Sequence, residues 1–226
     1  MSQKRDRLAG MLYLVVVLTG IFSLAYVPSK VSLATSPEVL LTNLAGSESL
    51  FRLGIASFAV EQIAFLLLPL VLYGYFRDVN AMAAKLMVLF AWMGVPLAFA
   101  ALSHRMDLLT LLDESTSALP ADVSLYHAAV KRAVSDYRNT MAVTTLFWGL
   151  WLAPFGYLVL QSGRVPRLLG VLLVAGCAGY LIDFFGSVVF PAYVESALAS
   201  YVLLPASVGE IGTCLWLLIR GYPRSS

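Results

Sequence analysis

Three carboxylic acids interrupt long apolar stretches of the sequence: Glu61, Asp183 and Glu210. An acid at the centre of a membrane costs roughly 2.5 to 3.5 kcal/mol even on the permissive insertion scale, so it normally faces protein, a partner or water. Such acids can bind a cation or a polar head group. Two carboxylates in a low-dielectric pocket can also act as a general acid and base when they titrate at different pH. We therefore expect a polar pocket inside the membrane, lined by these three acids.

Arg52 or Arg138 is the expected counter-charge for this pocket, because each lies near the end of an apolar stretch. A competing interpretation is that the acids pair internally and orient the helices without contacting a ligand. A third is that one acid is protonated, which avoids burying its charge. The sequence leaves these alternatives open.

Metal and cofactor signatures are weak or absent in the sequence. A zinc site could combine His104, Asp107 and His127, but no H-E-x-x-H helix or Cys-His cluster accompanies them. The sequence also lacks a P-loop, a dinucleotide fingerprint and a G-x-S-x-G nucleophile motif. We expect no metal and no cofactor, and whether the protein is an enzyme stays open.

The composition is that of a membrane protein. Of the 226 residues, 60% are apolar and only 12% are charged, far from the usual balance of soluble domains. The formal net charge of +2 is too small to indicate nucleic-acid binding. Membrane lipids are the expected partners and a small amphiphile the expected ligand, while the sequence does not indicate an oligomeric state.

Six apolar stretches are each long enough to cross about 30 Å of hydrocarbon as a helix. They cover about residues 8–27, 50–76, 81–103, 138–160, 168–190 and 197–219. A cleaved signal peptide is the alternative for the first stretch, although its apolar region is longer than usual. Amphipathic segments at about 36–45 and 120–137 are expected on the outer side, the second either on the membrane surface or extending the fourth span. The predicted fold class is therefore all-α, a single domain over residues 1–226 forming a bundle of six transmembrane helices.

Lys and Arg residues indicate the orientation of the chain. With six spans both termini lie on one side, and that side carries nine of the 15 Lys and Arg residues, whereas five lie on the other. The positive-inside rule therefore predicts cytoplasmic termini. At about 1.5 Å per residue, Glu61 lies about 15 Å and Glu210 about 20 Å from the outer side, and Asp183 falls in the outer half. The expected pocket opens outward.

Four short motifs in order resemble a known family. They are Ser47 to Gly54 (SESLFRLG), Ser162 to Gly170 (SGRVPRLLG), Gly179 to Asp183 (GYLID), and Gly209-Glu210 with Trp216 to Gly221 (WLLIRG). The chain resembles the bacterial membrane proteins described as domain of unknown function 4386. The resemblance implies a small multi-pass protein of a bacterial cytoplasmic membrane, implies no reaction, and includes Arg52, Asp183 and Glu210 in its motifs.

These observations favour a protein that binds or transports a small amphiphile, lipid or cation at Glu61, Asp183 and Glu210. The first alternative is an intramembrane enzyme acting on a lipid or isoprenoid, with Glu210 and Asp183 as the acid and base. The second is a non-catalytic membrane subunit or sensor.

Overall fold

The computed structural model describes residues 3–117 and 122–219, and all regular elements within these ranges are helices. A π-helical turn, Ile21–Tyr26, joins the first two helices, and a 3-10 turn, Pro191–Glu195, precedes α9. The α-helices are α1 Gln3–Gly20, α2 Val27–Lys30, α3 Pro37–Gly46, α4 Glu48–Phe76, α5 Ala81–Ser117, α6 Val123–Leu150, α7 Leu152–Ser162, α8 Arg167–Val189, α9 Ala197–Tyr201 and α10 Leu204–Ile219.

Six helical stretches of the described chain are long and apolar enough to cross a membrane. They are Arg7–Lys30, Glu48–Phe76, Ala81–Glu114, Val123–Ser162, Arg167–Val189 and Ala197–Ile219. Because the backbone of a helix satisfies its own hydrogen bonds, helices of this length are stable in hydrocarbon. The predicted fold class, all-α with six transmembrane helices, is confirmed, and the protein is a multi-pass membrane protein.

Two helices are longer than the predicted spans. The third span is predicted to end near Ser103, but α5 continues to Ser117. The segment predicted at 120–137 is, from Val123 onward, the first part of α6 and continuous with the fourth span, whereas residues 120 and 121 lie outside the described residues. In both added segments, apolar side chains continue to recur at helical spacing and pack into a buried core. The helices therefore continue past the first charged residues.

The described chain divides into two compact units. The first comprises Met1–Val15, Ala64–Pro96 and Ala142–Ser226, and the second comprises Val16–Ile63 and Leu97–Met141. Several long helices contribute residues to both units.

Aromatic side chains fill the core of the first unit. The rings of Trp151 and Phe155 stack with centroids 5.0 Å apart, and Phe65 meets Trp151 edge-on at 5.1 Å. Glycines bring α8 close to its neighbours. A Cβ atom on Gly156 of α7 would lie 2.8 Å from a carbonyl oxygen of α8, and one on Gly176 of α8 would lie 2.6 Å from a Cα atom of α10. Small residues of this kind let transmembrane helices pack backbone to backbone.

A basic turn joins α7 to α8 in the first unit. Gly163, with φ of 63°, ends α7 in the left-handed conformation that glycine adopts without strain. Arg164 donates to both carboxylate oxygens of Asp78 and to the carbonyl of Tyr75. Donation from Arg164 holds the pKa of Asp78 below its ordinary value. The indole of Trp216 donates to the Arg164 carbonyl at 3.2 Å, so the turn is fixed by side chains from several parts of this unit.

An aliphatic core holds the second unit together. Ser36 caps α3 by accepting a hydrogen bond from the Val39 amide at 3.5 Å, and Pro37 follows at the first helical position. This start directs the apolar face of α3 inward. The buried core consists of Val27, Val31, Leu40, Leu44, Phe51, Leu108, Leu109, Leu112, Val130, Ala133 and Val134.

Candidate functional site

Glu61 is a buried acid of the second unit, with 6% of its surface exposed. Its Oε2 accepts a hydrogen bond from the Ser23 hydroxyl at 3.2 Å. Ser23 belongs to the π-helical turn, a rare conformation that is frequent at functional sites. The chain also approaches closely at Gly20, where a Cβ atom would lie 3.3 Å from Oε1 of Glu61. The π turn and α4 therefore enclose this carboxylate.

Arg105 is a buried cation of the same unit, with 2% of its surface exposed. Its guanidinium lies 4.8 Å from the ring centre of Phe51 and 5.7 Å from that of Tyr137. Among the described residues, no hydrogen-bond acceptor reaches its Nε or Nη1 atom. A cation–π contact contributes roughly 0.5 to 2 kcal/mol, which offsets only part of the cost of burying a charge. The guanidinium therefore has N–H groups available for an acceptor.

Tyr137 lies near Arg105, whose guanidinium is 5.7 Å from its ring centre, and it also interacts electrostatically with Glu61. Gln62 follows Glu61 on the same turn of α4 and is fully buried. Within the described part of the chain, neither its amide nitrogen nor its amide oxygen has a hydrogen-bond partner. Leaving a buried amide unsatisfied costs about 1 to 3 kcal/mol. We call Ser23, Glu61, Gln62, Arg105 and Tyr137 the polar cluster of the second unit.

Glu210 lies in the first unit, on α10. The hydroxyl of Tyr13 on α1 donates to its Oε1 at 3.3 Å. Tyr13 is buried, and its ring lies 6.3 Å from that of Trp151 and 6.4 Å from that of Phe155. No basic side chain among the residues that the structure describes lies within ion-pair distance of Glu210. The described polar partner of Glu210 is thus one phenol, which itself packs among aromatic rings.

Asp183 also lies in the first unit, on α8, and is half-buried. The hydroxyl of Tyr193, from the 3-10 turn, donates to its Oδ1 at 3.2 Å. Burial, together with the nearby Asp183, raises the pKa of Tyr193, so the phenol stays protonated and remains a donor. Gly179, one turn before Asp183 on α8, lies in a close packing contact, because a Cβ atom on it would lie 2.3 Å from the carbonyl oxygen of Val202.

The two predicted counter-charges have other partners in the second unit. Arg52 is half exposed and donates to Glu48 at 2.6 Å, with Asp113 at 3.7 Å. Arg138 donates to the carbonyl of Leu33 at 3.1 Å. The described contacts of both arginines therefore lie at the surface of this unit rather than with the buried acids.

The three weak zinc candidates do not converge. His104 contacts Asp107 at 3.4 Å, one turn along α5, whereas His127 contacts Glu38 at 2.8 Å. No group of three or more His, Cys, Asp or Glu side chains in the described ranges is placed to hold a metal ion. Each histidine instead has one acid at hydrogen-bond or ion-pair distance.

Arg105 is the buried residue that the sequence did not single out, because it lies two residues beyond the predicted end of the third span at about 103. The spacing of the neighbouring residues contains the missing signal. Ala98, Ala101, Leu108 and Leu112 are buried and recur at intervals of three and four, and Arg105 falls in the same series. An arginine in register with a buried stripe indicates a buried guanidinium.

Six apolar helices define an integral membrane protein, and the ionisable side chains of Glu61 and Arg105 are buried within the folded chain. The chain belongs to the family described as Domain of unknown function (DUF4386), whose profile matches residues 8–221. It is also 33% identical over 76 residues to an uncharacterized protein of Archaeoglobus fulgidus, a match that covers 34% of this chain and 43% of that protein. No solved structure matches the chain.

Proposed function

We propose that this protein binds a small amphiphile from the surrounding bilayer and that the polar cluster of the second unit holds its head group. The observation that carries this proposal is the burial of Arg105 and Gln62 with N–H groups that no described residue accepts. Unsatisfied buried donors cost free energy that folding alone does not repay. A ligand that accepts these hydrogen bonds would recover that free energy as affinity.

The two charges of the cluster indicate the chemistry of the head group. The guanidinium of Arg105 suits a phosphate or carboxylate, since its planar N–H groups match two acceptor oxygens. The carboxylate of Glu61 suits an ammonium or a hydroxyl group. A zwitterionic head such as that of phosphatidylethanolamine therefore satisfies both, and the apolar spans accommodate the acyl chains.

The acids of the first unit are additional candidates for ligand binding. Glu210 has the Tyr13 hydroxyl as its described partner and no described cation, which leaves it able to accept a second donor. Asp183 is half-buried and shares its Oδ1 with Tyr193. We propose Glu210 as the principal ligand-binding acid of this unit and Asp183 as a secondary one.

We further propose that the protein resides in a bacterial cytoplasmic membrane with both termini in the cytoplasm. The support is the excess of Lys and Arg on the side of the termini.

The test is native mass spectrometry of the full chain in detergent, titrated with phosphatidylethanolamine, phosphatidylglycerol and diacylglycerol. We expect phosphatidylethanolamine to bind most tightly. Glu61→Gln and Arg105→Gln should each weaken that binding about tenfold or more, because a charge-assisted hydrogen bond contributes about 1.5 to 3 kcal/mol. Glu48→Gln is the matched control, since Glu48 lies on the same helix but is exposed and paired with Arg52.

Several results would contradict the proposal or redirect it. If both cluster variants bind phosphatidylethanolamine as well as the unmodified chain does, the cluster is not its site. If they melt at lower temperature while binding is unchanged, the buried charges have a structural role, as expected of a non-catalytic subunit. A change in the mass of the bound lipid would favour the enzyme, and accelerated lipid exchange between leaflets of a liposome would favour transport.

A further inference from the structure

A cleft of about 500 Å³ opens at the surface of the second unit, between the segment leading into α3 and the middle of α6. This volume falls within the range of small-molecule sites. Its apolar lining includes Leu40 and Val134, and its polar lining comprises the side chains of Thr35, Lys131, Ser135, Arg138 and Asn139. None of the cleft residues belongs to the polar cluster, so the cleft is a second feature of this unit.

The polar lining of the cleft is cationic because two basic residues share one face of α6. Lys131, Ser135 and Arg138 follow one another at intervals of four and three residues, which places them on one face of the helix. Arg138 uses one N–H group to hold the Leu33 carbonyl at 3.1 Å, and this bond fixes the guanidinium across the cleft. An arginine has five N–H donors, so most of its donors remain for a ligand.

The start of α3 adds to the positive potential of the cleft. Thr35 and Pro37 line it, and α3 runs for ten residues from Pro37, so the positive end of its dipole is directed at this space. The nearby acid, Glu38, contacts His127 at 2.8 Å and also interacts electrostatically with Lys131, but it does not line the cleft. The lining residues therefore carry two positive charges and no negative charge.

We infer that this cleft binds the phosphate group of a lipid, with Lys131 and Arg138 as its charged ligands and Thr35 and Ser135 as hydroxyl donors. Two cations, two hydroxyl groups and a helix start are suited to the several acceptor oxygens of a phosphate. The apolar lining residues, which include Leu40 and Val134, accommodate the first part of an acyl chain. This site stands apart from the proposed function, since it uses different residues and needs only a phosphate.

The experiment measures binding of dihexanoyl phosphatidic acid to the full chain in detergent, below the micelle-forming concentration of the lipid. Lys131→Gln and Arg138→Gln should each weaken binding about tenfold, whereas Arg132→Gln should change it less than twofold. Arg132 is the matched control because it lies on the same helix, carries the same charge and contacts Asp136 at 3.6 Å, outside the cleft. Arg138→Gln also removes the hydrogen bond to the Leu33 carbonyl, and a thermal melt detects any loss of stability that results. If Arg138→Gln is destabilised, Lys131→Gln alone tests the cleft.

Two further ligands separate the sources of the phosphate. If inorganic phosphate binds weakly and phosphatidic acid binds tightly, the result supports a lipid site. If both bind with equal affinity, the ligand is free phosphate and the inference of a lipid is wrong. The inference is overturned if dihexanoyl glycerol, which lacks phosphate, binds as tightly as phosphatidic acid, or if Arg132→Gln weakens binding as much as the cleft variants do.

Discussion

Replacing Gln62 by methionine tests whether the polar cluster is built for a ligand or for folding. Methionine has nearly the shape of glutamine but no hydrogen-bonding amide. Because Gln62 is fully buried and its amide lacks a partner among the described residues, the substitution removes an unsatisfied group without removing a hydrogen bond. We expect Gln62→Met to make the ligand-free protein more stable and to weaken lipid binding at the same time.

The magnitude follows from the cost of the unsatisfied amide. That cost is about 1 to 3 kcal/mol, and a similar gain should appear in the free energy of unfolding. At roughly 3 °C per kcal/mol for a chain of this size, the Tm should rise by about 3 to 9 °C. Binding of phosphatidylethanolamine should weaken by about tenfold, the equivalent of one lost hydrogen bond of about 1.4 kcal/mol.

The assay is thermal unfolding in a single detergent, followed by tryptophan fluorescence, with and without phosphatidylethanolamine. Gln161→Met is the matched control, because the Gln161 side chain is exposed and the substitution should shift Tm by no more than about 1 to 2 °C. A fall in Tm of several degrees for Gln62→Met would refute the reasoning, since it would mean that the amide makes a stabilising hydrogen bond in the folded protein.

The further predictions concern four substitutions in the first unit. Gly176→Ala should lower Tm by several degrees, because the added methyl group would lie 2.6 Å from the backbone of α10. Gly74→Ala should raise the free energy of unfolding by about 0.5 to 1 kcal/mol, because no atom lies within 4 Å of the added methyl group. Tyr13→Phe should cost about 1 kcal/mol in chemical unfolding, since it leaves the half-buried carboxyl group of Glu210 without its described donor. An unchanged midpoint would contradict this. Asp78→Asn should lower stability by about 1 kcal/mol or less above about pH 5, because Arg164 pairs with an exposed carboxylate. The pKa of Asp78 is lowered in the folded state, so this difference should shrink as the pH falls below about 4, measured by Tm against pH.

The spans and the helix starts are the parts of this fold that the sequence predicts well. Apolar length suffices for the six spans, because a helix needs about 20 residues to cross hydrocarbon. The start of α3 is equally local, since Ser36 and Pro37 are a cap and a first-turn residue, and both have these positions in the structure. Where a span ends is harder to predict, because α5 and α6 extend beyond the apolar stretches wherever their buried stripes continue.

The partners of the buried charges were not predictable from local patterns. Tyr13 and Glu210 are 197 residues apart in sequence, and no periodicity or motif connects them. Glu61 depends on Ser23 through a π-helical turn that its sequence, IFSLAY, does not distinguish from an ordinary apolar helix. Arg105 is different, because the sequence shows that it shares the helical spacing of the buried residues around it. A charge at the end of an apolar stretch, however, more often marks the membrane interface.

The π-helical turn Ile21–Tyr26 limits how the length of the first transmembrane helix can change. Each residue of an α-helix adds about 100° of rotation and 1.5 Å of rise, and a π turn accommodates one extra residue in the same stretch. Deleting one residue of the π turn would restore a regular α-helix. It would either turn Ser23 away from Glu61 or rotate the residues before the turn by about 100° relative to those after it. Substitutions along this helix are therefore better tolerated than insertions or deletions, and descendants of a common ancestor should keep the residue count between Gly20 and Val27 even where the side chains diverge.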